Sequence, residues 1–233
     1  DDVPGIVLRS HDGSIRSVPP APRPPLNALP SPLLALDLYD PGWYGLEDGV
    51  PIPGGLLTSR GCPEKCKYCW ATFGMGRFRW HPSEFILEAI ERARPLTDQL
   101  GFVATAVGDH PEIERILAEG NRLGFRTAVS SIRIPAVTEG VLEALRASGD
   151  RSITLAPETG SDRLRRLLNK PIPNELLLDK VRLVFRRGFT QLKLYFLIGL
   201  PGESMEDVAA IVDVEKITLS TICYGARGQI PRG

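Results

Sequence analysis

The chain has 233 residues, 42% hydrophobic and 24% charged, enough for one substantial domain with its own core, or one domain and an extension. Its 28 Lys and Arg balance 28 Asp and Glu, which excludes a bulk electrostatic drive toward nucleic acid or an anionic membrane. No apolar run reaches the roughly 20 residues of a membrane-spanning helix, and the start DDVPGIVLRS lacks the basic and apolar regions of a signal peptide; a cytoplasmic location is expected.

In chain order, Gly5-Ile-Val-Leu and Ser14-Ile flank His11-Asp12-Gly13, the pattern of a hairpin turn. Eleven of the 21 prolines precede residue 54, densest at SVPPAPRPPLNALPSP (17–32). Proline fixes φ and lacks an amide donor, so an extended connector is expected there. Residues 1–53 are therefore assigned to a hairpin and connector that follow a further domain, and 54–233 to the main domain.

From residue 54, apolar or β-branched runs at 54–59, 101–107, 126–132, 152–157, 191–199 and 217–223 predict six strands. Helical faces fall between them: Phe85, Ile86, Ala89, Ile90 and Ala93; Ile113, Ile116 and Leu117; Val141, Leu142 and Leu145; Leu177, Val181 and Val184; Val208, Ile211 and Val212. Ser83, Thr138, Asn174 and Ser204 stand where N-caps belong, and Gly124, Gly149 and Gly188 where helices end. Strands alternating with helices predict an α/β fold with a parallel sheet, and about six units predict a partial, three-quarter barrel of the TIM type. Within the strands, Ile153, Leu155, Leu192, Leu194 and Phe196 should meet the helices, while Thr154, Glu158, Lys193 and Tyr195 should line the interior. A carboxylate placed there needs a cation, and Lys193 on the next strand is the expected partner of Glu158. Arg77, Arg79 and Arg165 read as solvated surface. The run 217–223 then meets YGARGQIPRG, which has no helical period to cover it, so the chain is expected to be a piece of a longer polypeptide at both ends.

Three of the four cysteines fall within eight residues, in Ser59-Arg-Gly-Cys62-Pro-Glu-Lys-Cys66-Lys-Tyr-Cys69-Trp. That crowding suits metal binding better than disulfides. A [4Fe–4S] cluster is fully held by four thiolates, so three leave one iron open to a substrate. Structural zinc, the alternative, wants a fourth ligand, and the nearest His is His81.

The motif C-x3-C-x-aromatic-C after a strand resembles the signature of the radical S-adenosylmethionine (radical SAM) superfamily, with Tyr68 as the aromatic. The resemblance implies that Cys62, Cys66 and Cys69 hold the cluster, whose open iron binds the methionine end of S-adenosylmethionine, and that the cofactor is cleaved to a 5′-deoxyadenosyl radical. It also implies cofactor contacts at Tyr68; at Gly108-Asp109, which read equally as a helix cap; along Ala156-Pro-Glu158-Thr-Gly-Ser161; and in Leu194-Tyr-Phe-Leu-Ile198-Gly199-Leu-Pro-Gly202-Glu203, with Lys193 beside Glu158. Arg163–Lys170 and the connector 5–32 resemble the subgroup with an N-terminal cobalamin-binding domain, related to methylthiotransferases. No D-x-H-x-x-G cobalamin motif occurs here, so cobalamin would come through a domain absent from this chain. The reaction implied is methylation or another modification of an unknown substrate, with electrons from a flavodoxin- or ferredoxin-type donor. Methylthio transfer would call for a second cluster with three more cysteines. A non-catalytic iron–sulfur or zinc module is the reading from another class.

Overall fold

The computed structural model describes residues 3–22, 24–29, 54–95 and 97–226. The chain divides into two compact units, Asp1–Pro30 and Ser31–Gly233. In the first, strands β1 (Val7–Arg9) and β2 (Ile15–Ser17) pair antiparallel as expected. Gly13 turns the hairpin at φ +84, where an L side chain would be strained. The connector prediction for 17–32 lies partly outside the described residues; within them Leu26–Ala28 forms a 3-10 turn.

The second unit alternates strand and helix. Its elements are β3 (Gly54–Leu57), β4 (Ser59–Arg60), α1 (Trp70–Gly74), β5 (Arg79–Trp80), α2 (Ser83–Ala93), β6 (Gln99–Val103), α3 (Ile113–Arg122), β7 (Arg126–Val129), α4 (Glu139–Ala147), β8 (Ser152–Glu158), α5 (Asp162–Leu167), α6 (Asn174–Arg186), β9 (Gln191–Phe196) and α7 (Met205–Ala226). Strands β3, β6 and β7 form one parallel sheet in that order, and β8 and β9 another. A hydrogen bond from Ile132 N–H to the Thr154 carbonyl, 3.2 Å, joins the segment after β7 to β8. Leu56, Leu100, Phe102, Ile153 and Leu155 bury one face of these strands in a core with Ile86, Ile90, Ile116, Leu117, Leu142, Leu145, Val181 and Val184 of the helices. On the other face Thr154, Lys193 and Tyr195 are half-buried or exposed, as the alternation predicts.

The sixth strand is corrected. Residues 217–223 continue α7, so five parallel strands stand among the described residues, and they do not close a barrel. The β-branched run invites a strand, yet no Gly or Pro separates it from the helix that begins at Met205. A helix already nucleated propagates through residues of middling propensity. Among these residues no helix is long and apolar enough to cross a membrane.

The caps are partly as expected. Thr138 Oγ1 accepts from Val141 N–H, and Ser204 and Asp207 bond reciprocally at the start of α7. Pro82 and Pro173 take the N-cap positions expected for Ser83 and Asn174. Gly124, Gly149 and Gly188 have φ of +89, +91 and +81, as helix-ending glycines should.

Asp207 joins α7 to α5. Ser161, Arg163 and Ser204 hydrogen-bond its buried carboxylate and hold its pKa well below the usual range. A depressed folded-state pKa stabilises the protein above the ordinary carboxylate pKa near ~4, and that stability is lost as pH falls below it. Asp207→Asn should therefore cost about 2 kcal/mol at pH 7. Melting curves should show the gap from wild type narrowing by pH 3; an equal gap at both pH values would contradict the linkage.

Candidate active site

The site gathers at the C-terminal ends of the parallel strands, the edge where such folds place their chemistry. The cysteine loop leaves from β4 and returns through β5; their antiparallel pairing of Ser59 with Trp80 and Arg60 with Arg79 closes its neck. Gly61 sits in that neck at φ +77, and a Cβ there would lie 2.5 Å from the Gly76 carbonyl oxygen and 2.6 Å from that of Arg77. Only glycine allows the two arms so close.

Within the loop, Cys66 is buried and Cys62 and Cys69 half-buried; all three are free thiols. Cys69 is the N-cap of α1, and its N–H donates to the Cys66 carbonyl at 3.1 Å. Burial pushes the thiol pKa values of Cys62 and Cys66 up; Arg133 opposes this at Cys62, and Lys170 and the Tyr68 hydroxyl oppose it at Cys66. The Cys62 and Cys66 thiols thus favour the protonated form, and a metal must displace those protons.

Neighbouring elements hold the loop in place. Lys67 N–H donates to the Leu168 carbonyl at 2.9 Å, and the Asn169 side-chain amide donates to the Lys65 carbonyl at 2.9 Å. Arg133, in the segment after β7, pairs with Glu64 of the loop and with Asp109 beyond β6. Lys170 donates to Glu158 at 2.6 Å and to the Ala156 carbonyl at 2.7 Å, and lies 3.5 Å from the Tyr68 hydroxyl. Burial, then the Glu158 carboxylate, pushes the Tyr68 pKa far up, so the phenol stays neutral and donates. Beside the loop, a cavity of about 400 Å³ is lined by Lys67, Tyr68, Leu167, Leu168, Pro201 and Gly202.

Three thiols on one short loop suit an iron–sulfur cluster by their chemistry. Among the described residues, no three His, Cys, Asp or Glu side chains converge as one metal ion requires. A cubane cluster makes no such demand, because each thiolate binds a different iron. Residues 56–214 match the radical SAM superfamily. The chain belongs to that superfamily.

Radical SAM proteins use a [4Fe–4S] cluster and S-adenosylmethionine. This chain is 28% identical to an uncharacterised methyltransferase of Pyrococcus horikoshii over 93% of its own length and 49% of the relative's. It is 27% identical to the cytidylyl-2-hydroxyethylphosphonate methyltransferase of Streptomyces wedmorensis, over 99% of this chain and 50% of that one. In fold it is similar to the radical SAM methyltransferase TsrM of Kitasatospora setae, solved with cobalamin and a [4Fe–4S] cluster, with a TM-score of 0.64 and 21% identity over 93% of this chain and 45% of that one. The chain spans half or less of the length of the curated relatives it matches.

The candidate site brings most of the predicted residues to one edge, though several carry unforeseen partners. Glu158 pairs with Lys170, and not with Lys193 as expected; Lys193 is exposed and makes no ion pair among the described residues. The register shift between Leu155 and Glu158 turns the carboxylate from the β9 side toward the cysteine loop. Asp109 does not cap α3, whose N-cap is Glu112; its carboxylate is taken by Arg133. A Cβ on Gly108 would stand 2.9 Å from Ala136 Cβ, so this glycine lets the 107–109 turn pack closely on Ala136. Ser161 caps α5 by accepting from Leu164 N–H at 3.1 Å and bonds Asp207, a framework role. Ile198 is exposed, and Gly199 and Gly202 take φ of +88 and +79 in the turn after β9. Arg165 is fully buried against Asp162, Asn174 and the Thr159 carbonyl, and is not the surface residue expected. Trp70 and Phe73, on α1 just after the loop, are exposed.

Proposed function

We propose that this chain is the catalytic core of a radical SAM methyltransferase in which Cys62, Cys66 and Cys69 hold the [4Fe–4S] cluster. The observation that carries the reading is the cysteine loop: three free thiols, no fourth cysteine in the loop sequence, and a neck that admits only glycine at position 61. When bound, the cluster supplies the electron that breaks a sulfur–carbon bond of S-adenosylmethionine.

The chain's own residues bind and orient. The cavity between Tyr68, Leu167 and Gly202 takes the adenine end, where Gly199 and Gly202 let backbone approach a flat ring. Gly108, Asp109, Glu158, Ser161 and Ile198 border the same strand ends, with Lys193 further back on β9, and complete the cofactor's surroundings, Asp109, Glu158 and Ser161 acting through the groups they already hold. The names of the relatives support methyl transfer, and the cobalamin in the TsrM structure supports its use as the methyl carrier. In this reading cobalamin binds outside residues 54–226, since no D-x-H-x-x-G segment occurs. A flavodoxin- or ferredoxin-type protein delivers the electron.

Anaerobically reconstituted protein, reduced and mixed with methyl-labelled S-adenosylmethionine and cobalamin, tests this. It should contain about four irons and release 5′-deoxyadenosine with methionine that keeps the label; passing label to cobalamin, which leaves S-adenosylhomocysteine, needs the cobalamin-binding domain as well. Cluster-loaded, folded protein that leaves S-adenosylmethionine intact would make it a non-catalytic module.

A further inference from the structure

Two cations outside the cysteine motif join its loop to the scaffold. Arg133 bridges Glu64, which lies between Cys62 and Cys66, to Asp109 in the turn beyond β6; its side chain is 17% exposed. Lys170 bridges Tyr68, which lies between Cys66 and Cys69, to Glu158 at the end of β8; it and Glu158 are each 12% exposed. Each cation also bears on a neighbouring thiol, Arg133 on Cys62 and Lys170 on Cys66.

Ion pairs so removed from water lose much of their attraction to desolvation and are a poor route to stability alone. Glu158 moreover holds φ +68, a left-handed backbone costing a non-glycine residue about 1–3 kcal/mol. Its carbonyl accepts from Leu197 N–H at 2.7 Å, which fixes that conformation and aims the carboxylate at Lys170. Strain and desolvation are thus spent together on one contact with the cysteine loop.

We propose that Arg133 and Lys170 are positioning residues for the cluster, tethering the two arms of the cysteine loop and setting the charge beside its ligands. The inference rests on the function proposed above. Arg133 with its two carboxylates carries one net negative charge, and Lys170 with Glu158 carries none. Reduction adds a negative charge to the cluster, so a nearby cation favours the reduced form and a nearby carboxylate the oxidised one.

The charge sign separates this role from a merely structural one. Arg133→Gln and Lys170→Gln should lose iron to a chelator about 10- to 100-fold faster, as outer partners of metal sites do, and their cluster potentials should move to more negative values. Asp109→Asn leaves Arg133 held by Glu64, and Glu158→Gln leaves Lys170 its Ala156 carbonyl, so both should move the potential the other way. Arg133→Lys and Lys170→Arg keep the charge and should keep the potential. Arg165→Gln removes a buried cation whose partners are off the loop; it should lower the melting temperature with the potential unchanged.

The measurement is a redox titration followed by electron paramagnetic resonance, with iron release and melting of the iron-free protein alongside. A uniform direction of shift in all four charge variants, or a shift in Arg165→Gln as large as in Lys170→Gln, would overturn the inference while leaving the proposed function intact. Wild-type protein that takes up no iron would overturn the proposed function itself.

Discussion

Replacing Cys66 with Ala is expected to leave folded protein with almost no iron and S-adenosylmethionine cleavage reduced by more than about 100-fold, beyond the 10- to 100-fold typical of outer partners. The loop offers three thiols and no fourth cysteine. Removing one leaves two thiolates for a cluster that already lacks its fourth, and the cubane loses its hold. Cys62→Ala and Cys69→Ala should act alike. The fold should survive, because the core of Leu56, Phe102, Ile153 and the helices contains none of the three. Cys223, on α7, is the internal control: Cys223→Ala should retain about four irons. Iron and sulfide analysis beside a melting curve decides the matter. Iron lost from Cys223→Ala but retained by Cys66→Ala would refute the ligand assignment.

What could be read from the sequence was local, and what could not was contact between distant residues. Cysteine spacing, hairpin chemistry at Asp12-Gly13 and the helix-ending glycines act over a few residues, so they survive as pattern. Alternation in β8 and β9 likewise revealed which side chains meet the helices. The pairing of Arg133 does not show in the sequence because its partners are far away in the chain: it is 69 residues from Glu64 and 24 from Asp109. Strand alternation points Glu158 at Lys193 on the neighbouring strand, but the left-handed turn at Glu158 redirects its carboxylate to Lys170, 12 residues on. Arg165 shows the same limit in reverse. Surrounded by charged neighbours in sequence it reads as surface, yet inside a carbonyl, a carboxylate and an amide oxygen accept from its two terminal nitrogens. The error at 217–223 was of another kind, a weak β preference weighed above the missing helix stop.

Gly202→Val should weaken S-adenosylmethionine binding by at least about tenfold, equivalent to ~1.4 kcal/mol, while iron loading stays at the wild-type level. Gly202 adopts φ +79, which for a side-chain-bearing residue costs roughly 1–2 kcal/mol. A Cβ there would come within 2.6 Å of Leu167 Cδ2. That contact alone is cheap to relieve, because the end of a leucine can turn. Both groups line the cavity, however, so valine and the displaced leucine enter the space assigned to the adenine end. The turn is also held by Arg163, which donates to the Gly202 carbonyl at 2.9 Å and pairs with Asp207, so it cannot readily shift away. None of the bonds anchoring the cysteine loop passes through Gly202: they run from Leu168, Asn169, Arg133 and Lys170. Cofactor affinity and cluster content should therefore separate in one variant. Equilibrium dialysis of labelled S-adenosylmethionine against reconstituted protein, with iron counted in the same samples, reads both. Gly202→Ala, with less volume at the same φ, should fall between valine and wild type. Parallel loss of iron and affinity would point to a folding defect, and unchanged affinity in a stable valine variant would move the adenine out of this cavity.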